Sequence, residues 1–220
     1  MTRTCRTSAG CLLLIVIASP AFAQFSGFLE DYPPLEPLDG VSNLLVWKAP
    51  EAETQYGAIY FDPPEIFLDP DSEYRGFRPD VVKELSDTLL EILQTSAAEM
   101  GHAVVEEPGP NAIQIRTALT NVYLKRRDRA YRLPGNYAGF QLRAAIGRDV
   151  SLVEATIEAE LLDGESQRRL GVMISQEGQR RVSELGVNES STSWSDLVFT
   201  LNRVGRAANE HFADLLVEER

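Results

Sequence analysis

The sequence predicts an α+β domain: an antiparallel or mixed sheet with two long amphipathic helices packed on one face. Three observations carry this. Apolar residues recur at helical spacing from Asp80 to Gly101 and again from Ser193 to Leu216. Residues Ile113 to Thr120 alternate apolar and polar with a period of two, and Asp163-Gly164 divides two β-prone runs as a hairpin turn would. Alternating strands are half-buried, the pattern of a sheet covered by helices on one side. With 220 residues, 44% hydrophobic and 25% charged, the chain has the size and composition of one ordinary domain.

The first residues read as a targeting segment. Arg3 and Arg6 precede the apolar run Cys11–Ala18, and Ala21-Phe22-Ala23 forms a small-x-small cleavage site before Gln24. This is the pattern of a secretory signal peptide over residues 1–23. The run is shorter than the roughly 20 residues that cross a bilayer, so no transmembrane segment is expected in the mature chain. The protein is expected to be exported, periplasmic or secreted. Removing these 23 residues leaves 197 of the 220, and the loss of Arg3 and Arg6 takes the net charge from −12 to −14. Cys5 and Cys11, the chain's only cysteines, leave as well. A mature protein without cysteine has no disulfide, no thiol nucleophile and no thiolate metal site. Ala9-Gly10-Cys11 resembles the end of a lipoprotein cleavage site, but a lipidated cysteine follows its apolar run, whereas Cys11 begins it. Lipid anchoring at Cys11 is therefore not expected. The negative charge argues against nucleic acid as a partner and against broad adsorption to anionic membranes.

Residues 24–43 form an extended, Pro-rich arm, because Pro33, Pro34 and Pro37 exclude regular helix. Its Phe25, Phe28, Leu29 and Tyr32 are expected to pack on the domain or else to dock on a partner. The single α+β domain takes up residues 44–220. Leu44–Lys48 and Gly57–Phe61 are short strands, followed by a long connection punctuated by Pro63, Pro64, Pro70 and Pro79. Asp80 opens the first helix, whose stripe is Val81, Val82, Leu85, Leu89, Ile92 and Leu93, and Gly101 ends it. His102–Glu106 is a short strand and Pro108-Gly109-Pro110 a turn. In the next strand Ile113, Ile115, Thr117 and Leu119 share one face, with Gln114, Arg116 and Thr120 on the other. Lys125–Arg129 is a basic loop that is solvated or meets phosphates of envelope lipids. Residues 137–147 fit either a strand or a short helix. The second helix presents Trp194, Leu197, Val198, Leu201, Val204, Ala208, Phe212 and Leu215, with Ser193 as its cap.

The carboxylates Glu154, Glu158, Glu160 and Asp163 are the nearest approach to a chemical motif. A two-residue Asp163-Gly164 turn with positive φ at both positions pairs Leu162 with Glu165. Counting outward, Ile157 faces Leu170, Ala155 faces Val172 and Val153 faces Ile174, while Glu158 meets Arg169 and Glu160 meets Gln167. On this register the glutamates lie on the solvated face of a hairpin, where an acid/base pair lacks the dry cleft it needs. His102 and His211 have no ligand spacing, no Ser lies in a nucleophile elbow and no phosphate loop is present. Asn188-Glu189-Ser190 fits a glycosylation acceptor, a triplet common by chance. No catalytic, cofactor-binding or metal residue is assigned, and no cofactor is expected.

Several stretches taken together resemble a known family. Phe25-Ser26-Gly27-Phe28-Leu29 follows the processing site, Trp47 sits near the first strand, and Glu107-Pro108-Gly109-Pro110 precedes a strand ending in Ala118-Leu119-Thr120-Asn121-Val122. Val153-Glu154-Ala155 and Glu158-Ala159-Glu160-Leu161-Leu162-Asp163 complete the order. The order resembles the bacterial family catalogued as domain of unknown function thirty-three thirteen. The resemblance implies a small exported protein, many members being read as lipoproteins, and carries over no catalytic residue. This chain departs from the pattern in lacking a lipidation cysteine after its apolar run. The expected function is that of a non-enzymatic binding or structural accessory protein of the cell envelope, with an envelope protein or envelope component as partner. A periplasmic small-ligand or lipid-binding domain is the alternative, and a carboxylate-dependent hydrolase using Glu154, Glu158 and Glu160 a third reading.

Overall fold

Eight strands form one mixed sheet. In the computed structural model, which describes residues 26–50, 55–73, 79–126, 150–175 and 194–216, they are β1 (Glu36–Pro37), β2 (Leu44–Lys48), β3 (Ala58–Phe61), β4 (Glu65–Leu68), β5 (Val104–Val105), β6 (Ala112–Arg126), β7 (Val150–Asp163) and β8 (Arg169–Ser175). Among the described residues the helices are α1 (Pro79–Glu99) and α2 (Trp194–His211), and a 3-10 turn spans Ala213–Leu215. The expected signal peptide, Phe25, residues 127–129 of the basic stretch, residues 137–147, Asn188-Glu189-Ser190 and the Ser193 cap lie outside the described residues.

The sheet order is β1-β2-β8-β7-β6-β3-β5, and β4 pairs with β6 beyond β3. Along β2, β8, β7 and β6 each strand runs antiparallel to the next, whereas β3 and β4 run parallel to β6 and β5 runs parallel to β3. The fold is thus α+β with a mixed sheet. β4 lies within the long connection punctuated by Pro63, Pro64, Pro70 and Pro79. Pro63 and Pro64 stand just before it, so the prolines exclude helix there but leave an edge strand possible.

Local chemistry explains where the helices start and stop. Pro79 occupies the first position of α1, where its missing N–H costs nothing. Gly101, at φ +88°, terminates it. The His102 N–H donates to the Ala97 carbonyl at 3.1 Å and the Gly101 N–H to Ala98 at 3.0 Å, the paired bonds of a left-handed helix end. The second helix is shorter than its apolar stripe implied. It stops at His211, and the following turn brings the Leu215 carbonyl to the Tyr56 N–H at 2.8 Å, tying the C-terminal segment to the sheet.

Both helices share clusters with one face of the sheet. Leu85 and Leu89 of α1 and Leu197, Val198 and Leu201 of α2 pack with Leu119 and Ile157. Farther along α2, Val204 and Ala207 pack with Ile113, Ala159, Leu161 and Met173. The alternate residues Ala118, Val172 and Ile174 form a separate cluster with Phe28 and Leu29 of the N-terminal arm. The sheet therefore lies between a helical layer and the arm.

This arrangement overturns the hairpin register read from the sequence. Ile157 pairs with Ser175, Glu158 with Ile174 and Glu160 with Val172, so β8 is shifted by an odd number of residues and presents the opposite face. Neither Asp163 nor Gly164 has positive φ; Gln167 does, at +60°. The connection is longer than two residues because the Asp163 carboxylate organises it. Its Oδ1 accepts from the Ser166 N–H at 2.7 Å, the Ser166 hydroxyl at 2.9 Å and the Glu165 N–H at 3.1 Å, an Asx-type turn. Gly164 is required for space rather than for φ: a Cβ there would lie 2.6 Å from the Gly109 carbonyl oxygen.

Candidate functional site

The shifted register places Glu158 and Glu160 among apolar side chains on the arm-covered face. Each is only 3% exposed, contrary to the solvated position expected for them, while Glu154 is half-buried. The physical reason is the arm, which supplies a second apolar layer where water was expected. An ionised carboxylate in such a place must be fully partnered. Arg116 Nη1 donates to Glu160 Oε2 at 2.8 Å, and Arg169 Nε donates to Oε1 at 2.6 Å. The expected Arg169–Glu158 pair is thereby replaced by Arg169–Glu160, and Gln167, expected opposite Glu160, instead donates to Gln114 at 2.7 Å. Glu158 accepts the Thr120 hydroxyl at 2.7 Å and the Tyr32 hydroxyl at 2.9 Å.

The arm engages this island through three different contacts. Tyr32 reaches Glu158, Asp31 accepts from Arg169 Nη1 at 2.9 Å, and the Phe28 ring lies 5.1 Å from the Arg116 guanidinium carbon. Phe28 also meets Phe67 of β4 edge-on, with ring centroids 6.3 Å apart. Burial, reinforced by the neighbouring Glu158 carboxylate, pushes the Tyr32 hydroxyl pKa up against the opposing bond from Ser26. Burial disfavours the charge on Arg169, but bonds to Glu160 and Asp31 overcome it and raise its pKa. Glu154, apart from this network, is raised by burial and by Asp69. Glu160 bridges two cations and Glu158 accepts two hydroxyls beneath the arm. Neither carboxylate is placed to exchange protons with a substrate in solvent.

A different feature can receive a ligand. Between the helices and the sheet lies an apolar cavity of about 100 Å³. Ile157, Ala159 and Met173 floor it from the sheet, Leu93 stands on α1, and Leu201 and Val204 stand on α2. On its helical side Leu201 and Val204 are buried, whereas Leu93, Ser96, Asn202 and Asn209 are half-buried. Two polar pairs line the cavity and link the α1 side to α2. The Ser96 hydroxyl donates to Asn202 Oδ1 at 3.2 Å, and His102 Nε2 lies 2.5 Å from Asn209 Oδ1. The other histidine, His211, lies edge-on to Phe212; burial and then Lys48 lower its pKa. Among the described residues no three His, Cys, Asp or Glu side chains gather as a metal site, and no helix is long and apolar enough to cross a membrane.

The sequence reading missed the buried polar island; its small-ligand alternative placed a pocket between helices and sheet but named no lining residues. A signal for the island was present in Arg169–Ser175, where every residue after Arg169 is buried. Apart from its glycine and terminal serine it is a continuous apolar run, as in a strand covered on both faces, and not the alternation of a strand wet on one side.

Fold and site together define an α+β protein whose sheet is covered by helices on one face and by an N-terminal arm on the other. Residues 24–205 match the profile described as "Protein of unknown function (DUF3313)", and the chain belongs to that family. Comparison with curated proteins gives no match. Among solved structures, the chain is similar to the PelC dodecamer from Paraburkholderia phytofirmans at 9% identity and a TM-score of 0.37, over 80% of this chain and 98% of that one. It is similar to lipoprotein GNA1162 from Neisseria meningitidis at 13% identity and a TM-score of 0.31, over 71% and 99%. A PDZ domain protein from Parabacteroides distasonis matches at 8% identity and a TM-score of 0.35, over 77% of this chain and 35% of that one. Likenesses this distant carry no argument about activity.

Proposed function

We propose that this chain is an exported, non-enzymatic binding protein of the cell envelope, and that it takes a small apolar ligand between α1, α2 and the sheet. The apolar cavity of about 100 Å³ carries this reading. Its floor is the sheet, and a few polar side chains stand among its apolar lining, the plan of a small-molecule site. Two of the three carboxylates that were the alternative centre of chemistry, Glu158 and Glu160, are taken up in structural bonds. The arginine-led start, the apolar run Cys11–Ala18 and Ala21-Phe22-Ala23 support export.

Two measurements test the two halves of the proposal. Intact-mass analysis of the native protein is expected to give a chain beginning at Gln24 without acyl groups; a lipidated Cys11 would overturn soluble export. Thermal melting against a panel of short apolar compounds tests binding. A ligand at one hundred times its Kd adds about 2.7 kcal/mol to stability, a rise of several degrees in Tm. A panel without any shift, combined with a defined protein partner captured from the native envelope, would transfer the assignment to protein docking.

A further inference from the structure

We infer that the cavity selects a neutral amphiphile: a short alkyl chain carrying one uncharged hydrogen-bonding group, held with its chain against the sheet and its polar group at the Ser96–Asn202 and His102–Asn209 pairs. This rests on the binding reading above and adds the class of ligand. Volume sets the size, since an apolar cavity of 150 Å³ holds benzene, and about 100 Å³ suits a slim chain better than a ring. The lining sets the charge. Among the described residues it contains no lysine, arginine, aspartate or glutamate; its polar groups are serine, threonine, asparagine and histidine. A carboxylate or ammonium drawn into it would lose hydration without gaining a counter-charge. A hydroxyl or amide, by contrast, can join or replace the Ser96–Asn202 and His102–Asn209 hydrogen bonds, whose four side chains line the cavity and are half-buried.

The test uses the mature protein at pH 8, above the ordinary histidine range, with four probes: xenon, 1-pentanol, pentanoate and pentylamine. Chemical shifts of the cavity methyl groups read binding. Xenon and pentanol are expected to shift Ile157, Leu201 and Met173, and pentanol to bind at least about ten-fold more tightly than either charged analogue. Binding of xenon with equal or tighter binding of pentanoate or pentylamine would overturn the neutral class while leaving the cavity as a binding site. No shift with xenon or pentanol would overturn the binding reading itself. Gly205 lines the cavity and has room for a Cβ, the nearest side-chain atom being Met100 Cε at 3.9 Å. Gly205→Leu is therefore expected to abolish both signals, and undiminished binding in this variant would place the site elsewhere. Should the leucine variant not melt cooperatively, Gly205→Ala replaces it, with a several-fold weakening of pentanol expected and unchanged affinity counting against the cavity.

Discussion

Glu160 holds two guanidinium groups at once, and that arrangement separates a structural carboxylate from a catalytic one. Glu160→Gln removes the charge while keeping the shape, leaving Arg116 and Arg169 without their shared counter-ion. Breaking a buried pair costs about 3–5 kcal/mol. The two arginine side chains are 34% and 21% exposed, so solvent reduces the loss to roughly 2–3 kcal/mol. Thermal melting reads this, and an unchanged Tm would mean that the pair contributes nothing to the fold. Asp163 gives a pH signature at the same scale. Burial raises its pKa, but bonds from Tyr56 and from Ser166 and Glu165 outweigh burial and bring it from 3.8 to about 2. Because the folded value is depressed, the stabilisation is complete above the unfolded pKa near 4 and is lost as the pH falls towards 2. Allowing for solvent screening, it is of order 1 kcal/mol. Denaturant midpoints between pH 5 and 2 are expected to converge for the wild type and Asp163→Asn; a constant difference across that range would refute the assignment.

At the scale of elements, legibility followed the number of layers each element touches. The first helix was readable because one face meets the core and the other meets water, so its period survives in the sequence. The alternation of β6 was readable through Ile113, Ile115, Thr117 and Leu119, which face the helical layer or its cavity. The β7–β8 register was not. Its two faces are both covered, so Ile157 and Val172 look equivalent in sequence although they lie on opposite sides of the sheet. The turn then decided the register, and Asp163 builds a longer turn with its carboxylate than Asp-Gly alone implies. The arm is the element that makes the second face dry. Phe28 is 6% exposed and touches both Phe67 and Arg116. Phe28→Ala is expected to lower stability by about 3 kcal/mol, the low end for a buried phenylalanine, with increased binding of an apolar dye. Unchanged melting would indicate that the arm does not contribute to the folded state in solution.

At the scale of the whole molecule, the sheet separates two sites that the sequence places only a few residues apart. The even-numbered Glu158 and Glu160 face the arm, and the odd-numbered Ile157 and Ala159 face the helices and the cavity. Backbone hydrogen bonds to β6 and β8 hold β7 on both sides, so a change on one face has little freedom to reach the other. Substitutions without shared partners usually add within about 0.3–0.5 kcal/mol. Phe28→Ala and Gly205→Ala form such a pair. The first removes an apolar anchor from the arm. The second replaces a glycine inside α2, where alanine favours the helix by about 0.8–1 kcal/mol, and has space for its methyl group. Their effects on unfolding free energy are expected to oppose each other and to sum in the double variant. Pentanol affinity is expected to follow the Gly205 substitution and to ignore the Phe28 substitution. A coupling energy above about 1 kcal/mol, or a loss of pentanol binding on Phe28→Ala alone, would show instead that the arm and the cavity communicate through the sheet, and that displacement of the arm controls the ligand site.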